Sequence, residues 1–359
     1  MLSLNGGDCA RPAARTPSAG MLTREDQTVL ISHFVNRLAP GGVTSVIVDL
    51  ARLQQASGHG VDIVTLESDA WDERAISAGL DVRIGRREMA RAVRSCDIVH
   101  SHHRRLGVAS VGLGRASATV DHVHNLFYNH RHISFRGAQI IAVANNVATH
   151  IERTFPHTRG RVRIVHNGVS PPPTRRVHSL QGDQMRLAGV GRLVEQKNPE
   201  FFLTLIDGLR AEFRDVRAVW YGDGPLRPAF ERTVKELGLE YTVEFVPSLD
   251  RNTLRSELAA ADALLLTSRW EGLPIAAIEA LGAGTPVCST RCGEMAELLD
   301  SGGAGIVIDD EPRHAVTQIR TFLEANLVDA RRAAAALFDS RFSLDVFRLA
   351  VDDVYASMI

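Results

Sequence analysis

Apolar positions along the chain alternate between short continuous runs and longer stretches with helical spacing. TVLISHFV (28–35) is a short apolar run that enters a glycine-bearing loop, with a helix to follow over about 44–57. VDIVTL (61–66), CDIVHSH (96–102), ATVDHVHN (118–125), QIIAVANN (139–146) and VRIVHNGV (162–169) repeat the pattern, with an Arg-rich helix near 86–94 and another running to about Arg153. Strands with no polar face alternating with helices predict a parallel sheet covered on both sides.

Pro171, Pro172 and Pro173 neither extend a helix nor donate to a sheet, so 173–184 reads as a stiff link between two domains. A second series follows at once. MRLAGVGRL (185–193), AVWYGDGPL (218–226), YTVEFVPS (241–248), DALLLTS (262–268), TPVCST (285–290) and GAGIVID (303–309) each carry a strand, and a helix is expected from about Pro199 to Phe213. The organisation predicted is an N-terminal α/β domain over 28–172 and a second over 185–341. A last helix within 342–359 could pack back on the first domain. A chain of 359 residues exceeds one ordinary hydrophobic core, in keeping with two domains.

Composition narrows the class. Hydrophobic residues make up 45% and charged residues 23%, as in an ordinary globular protein, and no apolar run approaches the roughly 20 residues of a membrane span. Residues 1–27 hold Arg11, Arg15 and Arg24 but no continuous apolar segment, so they are expected to be a disordered leader rather than a secretory signal. Cys9, Cys96, Cys288 and Cys292 are too scattered for a disulfide framework, which favours a reducing, cytoplasmic setting. Cys288 and Cys292 lack the second pair that a zinc site needs, and no metal ligands are assigned. Charge is uneven within an overall −1. Between Arg83 and Arg176 stand sixteen arginines, no lysine and four acids, a local +12. The aromatic interleaving of an RNA-stacking surface is missing, so nucleic acid is not expected. An anionic membrane face or a phosphate-bearing acceptor fits better, unless these arginines never gather in one patch.

SRWEGLPIAAIEALGAGTP (268–286) carries the densest chemistry. Pro274 suits a first helical position and Ala276, Ala277 and Ala280 propagate a helix, which leaves Glu271 just before it and Glu279 within it. Unpaired amides at such a helix start attract phosphate, and Gly272 with Leu273 would let one approach. A carboxylate beside that seat is better used to accept from hydroxyl groups. Phosphate donors beside hydroxyl acceptors describe a nucleotide-sugar. The plain alternative makes Glu271 an electrostatic cap and Glu279 a solvated helix residue.

GRLVEQKN (191–198), GDGPL (222–226), EGLPIAAIEAL (271–281), GTPV (284–287) and GEMAELL (293–299) together resemble the retaining glycosyltransferases of family 4. The resemblance is strong over 185–310 and weak over 28–170. It implies an α/β protein of GT-B fold, with two Rossmann-like doubly wound domains facing across a cleft. It implies sugar transfer from a nucleotide-diphosphate sugar to a sugar or lipid-linked sugar acceptor, without a cofactor or metal, in surface polysaccharide or glycolipid synthesis.

By the same resemblance Arg192 and Lys197 hold the donor diphosphate, Glu271 contacts the sugar and Glu279 the ribose. Asp223 and Gly224 lie near the nucleotide, Val246 borders the base, and Gly41 and Gly42, where the first domain's backbone turns closely, are expected to bind the donor together with Gly272, Leu273 and Pro274. His124, better than His122, matches a histidine that meets the sugar from the first domain. Ala144 and the pair Gly293-Glu294 depart from the family pattern and leave donor and acceptor open. A nucleotide-sugar epimerase or phosphorylase on the same plan and a non-catalytic binding scaffold are the competing readings. A dehydrogenase is disfavoured because Val194 stands where a dinucleotide fingerprint has its third glycine.

Overall fold

The computed structural model describes residues 28–39, 41–67, 75–76, 79–115, 118–126, 133–172, 175, 184–247 and 249–358. The expected leader and nearly all of the expected link lie outside them. The first sheet has seven parallel strands, β1 (Leu30–Arg37), β2 (Gly60–Glu67), β3 (Asp81–Ile84), β4 (Ile98–Ser101), β5 (Thr119–Val123), β6 (Gln139–Ala142) and β7 (Val162–Ile164), in the order β3-β2-β1-β4-β5-β6-β7. The second has six, β8 (Gln184–Val190), β9 (Asp215–Tyr221), β10 (Val243–Val246), β11 (Ala263–Leu266), β12 (Val287–Thr290) and β13 (Gly305–Ile308), in the order β10-β9-β8-β11-β12-β13.

In both sheets the chain winds one way and then crosses over to wind the other. The strand order reverses between β1 and β4 in the first sheet and between β8 and β11 in the second. The loops leaving those two pairs diverge and open a crevice at the strands' carboxyl ends, where ligands of such sheets bind. Central strands are buried on both faces because helices cover both. β4, β11 and β12 are buried at every position.

Several described elements had no counterpart in the sequence pattern, among them helices Arg251–Ala260 and Pro312–Arg341, the edge strand β3 and helix Arg104–Gly112. β3 is a four-residue edge strand whose Arg83 pairs with Asp62 and Asp81, and such short alternation has too little apolar content to stand out. Helix Arg104–Gly112 buries only Leu106, Gly107 and Ser110, a stripe too sparse to show periodicity. The close of the chain is a 30-residue helix, Pro312–Arg341, capped by Glu311, followed by helix Leu344–Ala356, capped by Ser343. The second of these crosses to the first domain, where it contacts helix Gly42–Ala56, and Val169 N–H bonds Phe342 O at 3.0 Å. One apolar core therefore runs from Ile31, Val120 and Ile141 through Phe347 and Val351 to Ala277, Leu281 and Phe338. Arg331 is sealed beneath the second sheet, where it bonds Asp262 at 3.1 Å and the carbonyl of Ala261 at 2.9 Å.

Candidate functional site

The loop after β8 folds against the loop after β9 so closely that only glycine fits. A Cβ on Gly222 would lie 2.2 Å from the carbonyl oxygen of Gly191, and one on Gly224 would lie 2.5 Å from that of Leu193. Leu193 N–H bonds Asp223 O at 3.0 Å and Gly222 N–H bonds Val246 O at 2.8 Å, which ties residues 191–193, 222–224 and the end of β10 into one unit. Asp223 turns its carboxylate to its own loop, accepting from Gly224 N–H at 2.7 Å, and stays exposed. Val246 is half-buried at the edge of this unit.

Lys197 lies across the backbone of Gly191, its stem carbons 3.0 Å from where a Cβ there would stand. Its ammonium pairs with Glu271, which is 7% exposed, and Ser268 Oγ donates to the same carboxylate oxygen at 2.7 Å. Two side chains 74 positions apart thus meet between the loops after β8 and β11, at the crossover of the second sheet. Arg192 is exposed one residue beyond the lysine stem. Helix Ile275–Gly282 begins beside Glu271 and no side chain caps it, which leaves first-turn amides available to an anion. Pro274 stands at the capping position, one residue before the first helical position expected for it.

The first domain closes over this mouth. Gly272 lies so close under the carbonyl of His124 that a Cβ there would stand 2.8 Å from its oxygen, and Asn146 Nδ2 donates to Glu271 O at 2.9 Å. Gly42, at the start of helix Gly42–Ala56, faces Ile275, so the two helix starts meet across the gap. Glu271, Gly272, Leu273 and Pro274 are buried, whereas Ile275, Lys197 and His124 remain partly exposed and Arg192 and Gly41 are exposed.

Glu279 is neither solvated nor free. It is 5% exposed and accepts from Arg251 Nε at 2.9 Å, with Arg255 Nε at 3.8 Å, while Arg251 also pairs with Asp49 of the first domain at 2.9 Å. Nη2 of Arg251 and of Arg255 have no partner among the described residues. A second carboxylate, Glu294, accepts from His166 Nε2 at 2.9 Å, from Asn145 Nδ2 at 3.0 Å and from Asn145 N–H. Burial works to raise its pKa, but the bonds from His166 and Asn145 outweigh that and hold it below the usual carboxylate range. Arg251, Arg255, Ser268, Asn146 and His166 escaped sequence reasoning because single charged or polar residues in ordinary helices and loops carry no local signal. Glu294 was legible only as a departure from the family pattern.

His124 sits at the end of β5 and belongs to a larger group. His33 of β1, His100 of β4, His102 just after it, His122 of β5 and His124 stack on one face of the first sheet, with ring centroids of successive neighbours 4.2–5.5 Å apart. Burial lowers the pKa of all five, that of His33 and of His124 to about 4. The thiols of Cys96, Cys288 and Cys292 are buried and unpaired in disulfides, and burial pushes Cys288 up to about 12.

Two family models tile the chain. "Glycosyltransferase Family 4" matches residues 40–171 and "Glycosyl transferases group 1" matches 172–336. Among curated relatives, an uncharacterized glycosyltransferase of Methanocaldococcus jannaschii is 26% identical over 185 residues, spanning 48% of this chain and 47% of its own length. The chain thus spans about half the length of that relative. A D-inositol 3-phosphate glycosyltransferase of a Nocardioides species is 24% identical over 392 residues, spanning 86% of this chain and 85% of its own. Among solved structures, HepE of Anabaena in complex with UDP and glucose superimposes with a TM-score of 0.73 at 18% identity, covering 92% of this chain and 100% of that one. Two crossover sheets, matched in turn by the two family descriptions over residues 40–336, place this chain in the family 4 (group 1) glycosyltransferases, with the GT-B fold.

Proposed function

We propose that this chain transfers a sugar from a nucleotide-diphosphate sugar to an acceptor hydroxyl with retention of anomeric configuration, in surface polysaccharide or glycolipid assembly. One observation carries the reading. Lys197 and Glu271 meet at an uncapped helix start where the crossovers of two sheets face each other. Diphosphate oxygens would take over Lys197, with Arg192 and the first-turn amides of Ile275–Gly282 facing the charge that grows as the phosphate departs. Glu271, released from the lysine, would accept from sugar hydroxyls, and His124 would meet the sugar from the opposite domain. The departing phosphate oxygen would take the acceptor's proton on the same face. Glu279 would receive the ribose hydroxyls while Arg251 holds it in place. Donor and acceptor groups come from separate domains, so opening and reclosure accompany each turnover.

UDP and glucose in the Anabaena complex, and inositol 3-phosphate in the name of the Nocardioides relative, suggest where to begin. The test is a panel of UDP-, GDP- and ADP-sugars scored by thermal stabilisation, followed by an acceptor screen with the sugar that binds. One sugar nucleotide should raise Tm, and nucleoside diphosphate should appear only when an acceptor is added. Turnover of the donor without an acceptor would point instead to an epimerase. Binding that never yields product would favour a scaffold.

A further inference from the structure

The five stacked histidines are joined through their ring nitrogens into two strings that share one anchor. In the first, Gln54 Oε1 meets His33 Nε2 at 2.7 Å, His33 Nδ1 meets His102 Nε2 at 2.9 Å, and His102 Nδ1 meets His124 Nε2 at 3.2 Å. In the second, Gln54 Nε2 donates to the Tyr355 hydroxyl at 3.2 Å, that hydroxyl meets His100 Nδ1 at 2.5 Å, and His100 Nε2 meets His122 Nδ1 at 3.0 Å. Each string ends on a buried nitrogen with no partner among the described residues, His124 Nδ1 in one and His122 Nε2 in the other.

A neutral imidazole carries one N–H and one bare nitrogen, so fixing one atom fixes the next ring along. The Gln54 carbonyl accepts from His33 Nε2–H, which leaves Nδ1 bare to accept from His102 Nε2–H, and His102 Nδ1 accepts in turn from His124 Nε2–H. The Gln54 amide supplies a hydrogen to the Tyr355 oxygen, so the phenol's own hydrogen goes to His100 Nδ1. His100 Nε2–H then goes to His122 Nδ1. All five rings take the same tautomer, and turning the Gln54 amide over would reverse all five together.

We propose that Gln54 and Tyr355 are positioning residues that hold these imidazoles in the Nε2–H form. The carboxyl end of β5 then presents a bare nitrogen on His124 beside an N–H on His122. A hydroxyl both donates and accepts, so a hydroxyl-bearing ligand matches that pair of ends, whereas an ammonium or a carbonyl satisfies one alone. The ligand assignment rests on the sugar-transfer reading above; the tautomer assignment does not. Burial keeps every ring neutral, as the two strings require.

A metal ion is the competing occupant, because ligand atoms of His33, His100 and His102, and of His102, His122 and His124, lie within 4.8 Å of one another. The contacts favour hydrogen bonds. Ring-to-ring gaps of 2.9–3.2 Å suit N–H···N, and eight of the ten ring nitrogens already point at a partner rather than at a common centre.

Two-bond proton–nitrogen spectra of the ¹⁵N-labelled full chain at pH 7.5, after chelator treatment and without donor or acceptor, read the tautomers directly. Five neutral imidazoles with the proton on Nε2 are expected. Tyr355→Phe should return His100 and His122 to a mixture and leave His33, His102 and His124 unchanged. If that variant does not fold, Gln54→Glu should switch His100 and His122 to Nδ1–H, since a carboxylate takes the tyrosine hydrogen. Mixed or Nδ1–H tautomers in the wild type, or no response to either variant, would overturn the proposal. So would one equivalent of Zn²⁺ held tightly enough to abolish the ring N–H signals. Failure of every donor assay would leave the spectra, and this assignment, intact.

Discussion

Acidification should destabilise this protein through its buried histidines. His33 and His124 sit at about 4 when folded, against an ordinary value of 6.5, because burial disfavours the imidazolium. Unfolding lets each take up a proton, so their contribution to stability is complete above about pH 6.5 and falls as pH drops from there toward 4. Each shift is worth about 3.4 kcal/mol over the whole window, and about 2 kcal/mol of that is gone by pH 5. Asp121, on the other face of β5, opposes them. Burial raises it to about 6 from 3.8, so protonation near pH 6 stabilises the fold, by about 1.4 kcal/mol at pH 5. The three groups together remove about 2.6 kcal/mol between pH 7.5 and 5. His100, His102 and His122 lie well below 6.5 and act in the same direction as the first two. Tyr355, the other titratable group against the cluster, is raised by burial and stays neutral throughout. Against a total stability of about 5–15 kcal/mol, this loss moves a urea midpoint by about 0.9 M at a slope of about 3 kcal/mol per molar. Urea denaturation followed by circular dichroism at pH 7.5 and at pH 5 measures it, and His124→Gln should flatten the dependence. A midpoint unchanged between the two pH values would refute the assignment of a neutral, buried histidine cluster.

Other consequences concern the donor side and the core. Lys197→Ala alone strands a buried carboxylate and should cost about 3–5 kcal/mol, so the activity test is Lys197→Met with Glu271→Gln, expected to lose at least a hundredfold in turnover with Tm lowered far less than by the single change. Gly224→Ala puts a methyl against the Leu193 carbonyl and should weaken sugar-nucleotide binding, read as a smaller thermal shift at fixed ligand concentration. Arg331→Met leaves Asp262 buried without its guanidinium and should lower the urea midpoint by the equivalent of about 3–5 kcal/mol. Cys96, Cys288 and Cys292 should resist alkylation in the native chain and react only on unfolding, as a mass-spectrometric time course would show.

Local pattern was enough for most of the repeating strand–helix units, because each depends on residues a few positions apart. It also drew attention to Lys197, Glu271, Glu279 and His124 one at a time. What it could not supply was the company they keep. Lys197 finds Glu271 because β8 lies beside β11 in the second sheet, and Glu279 finds Arg251 and through it Asp49, a partner 202 positions from that arginine, because the first domain packs against the second. His33 joins His100 and His122 because β1 lies beside β4 and β4 beside β5, and Tyr355 reaches them from the last helix of the chain. Period-two alternation states which face of a strand a side chain occupies, not which strand is its neighbour. Strand order is decided by the packing of helices on both faces of the sheet, and with it the hydrogen bonds that make five scattered histidines one cluster.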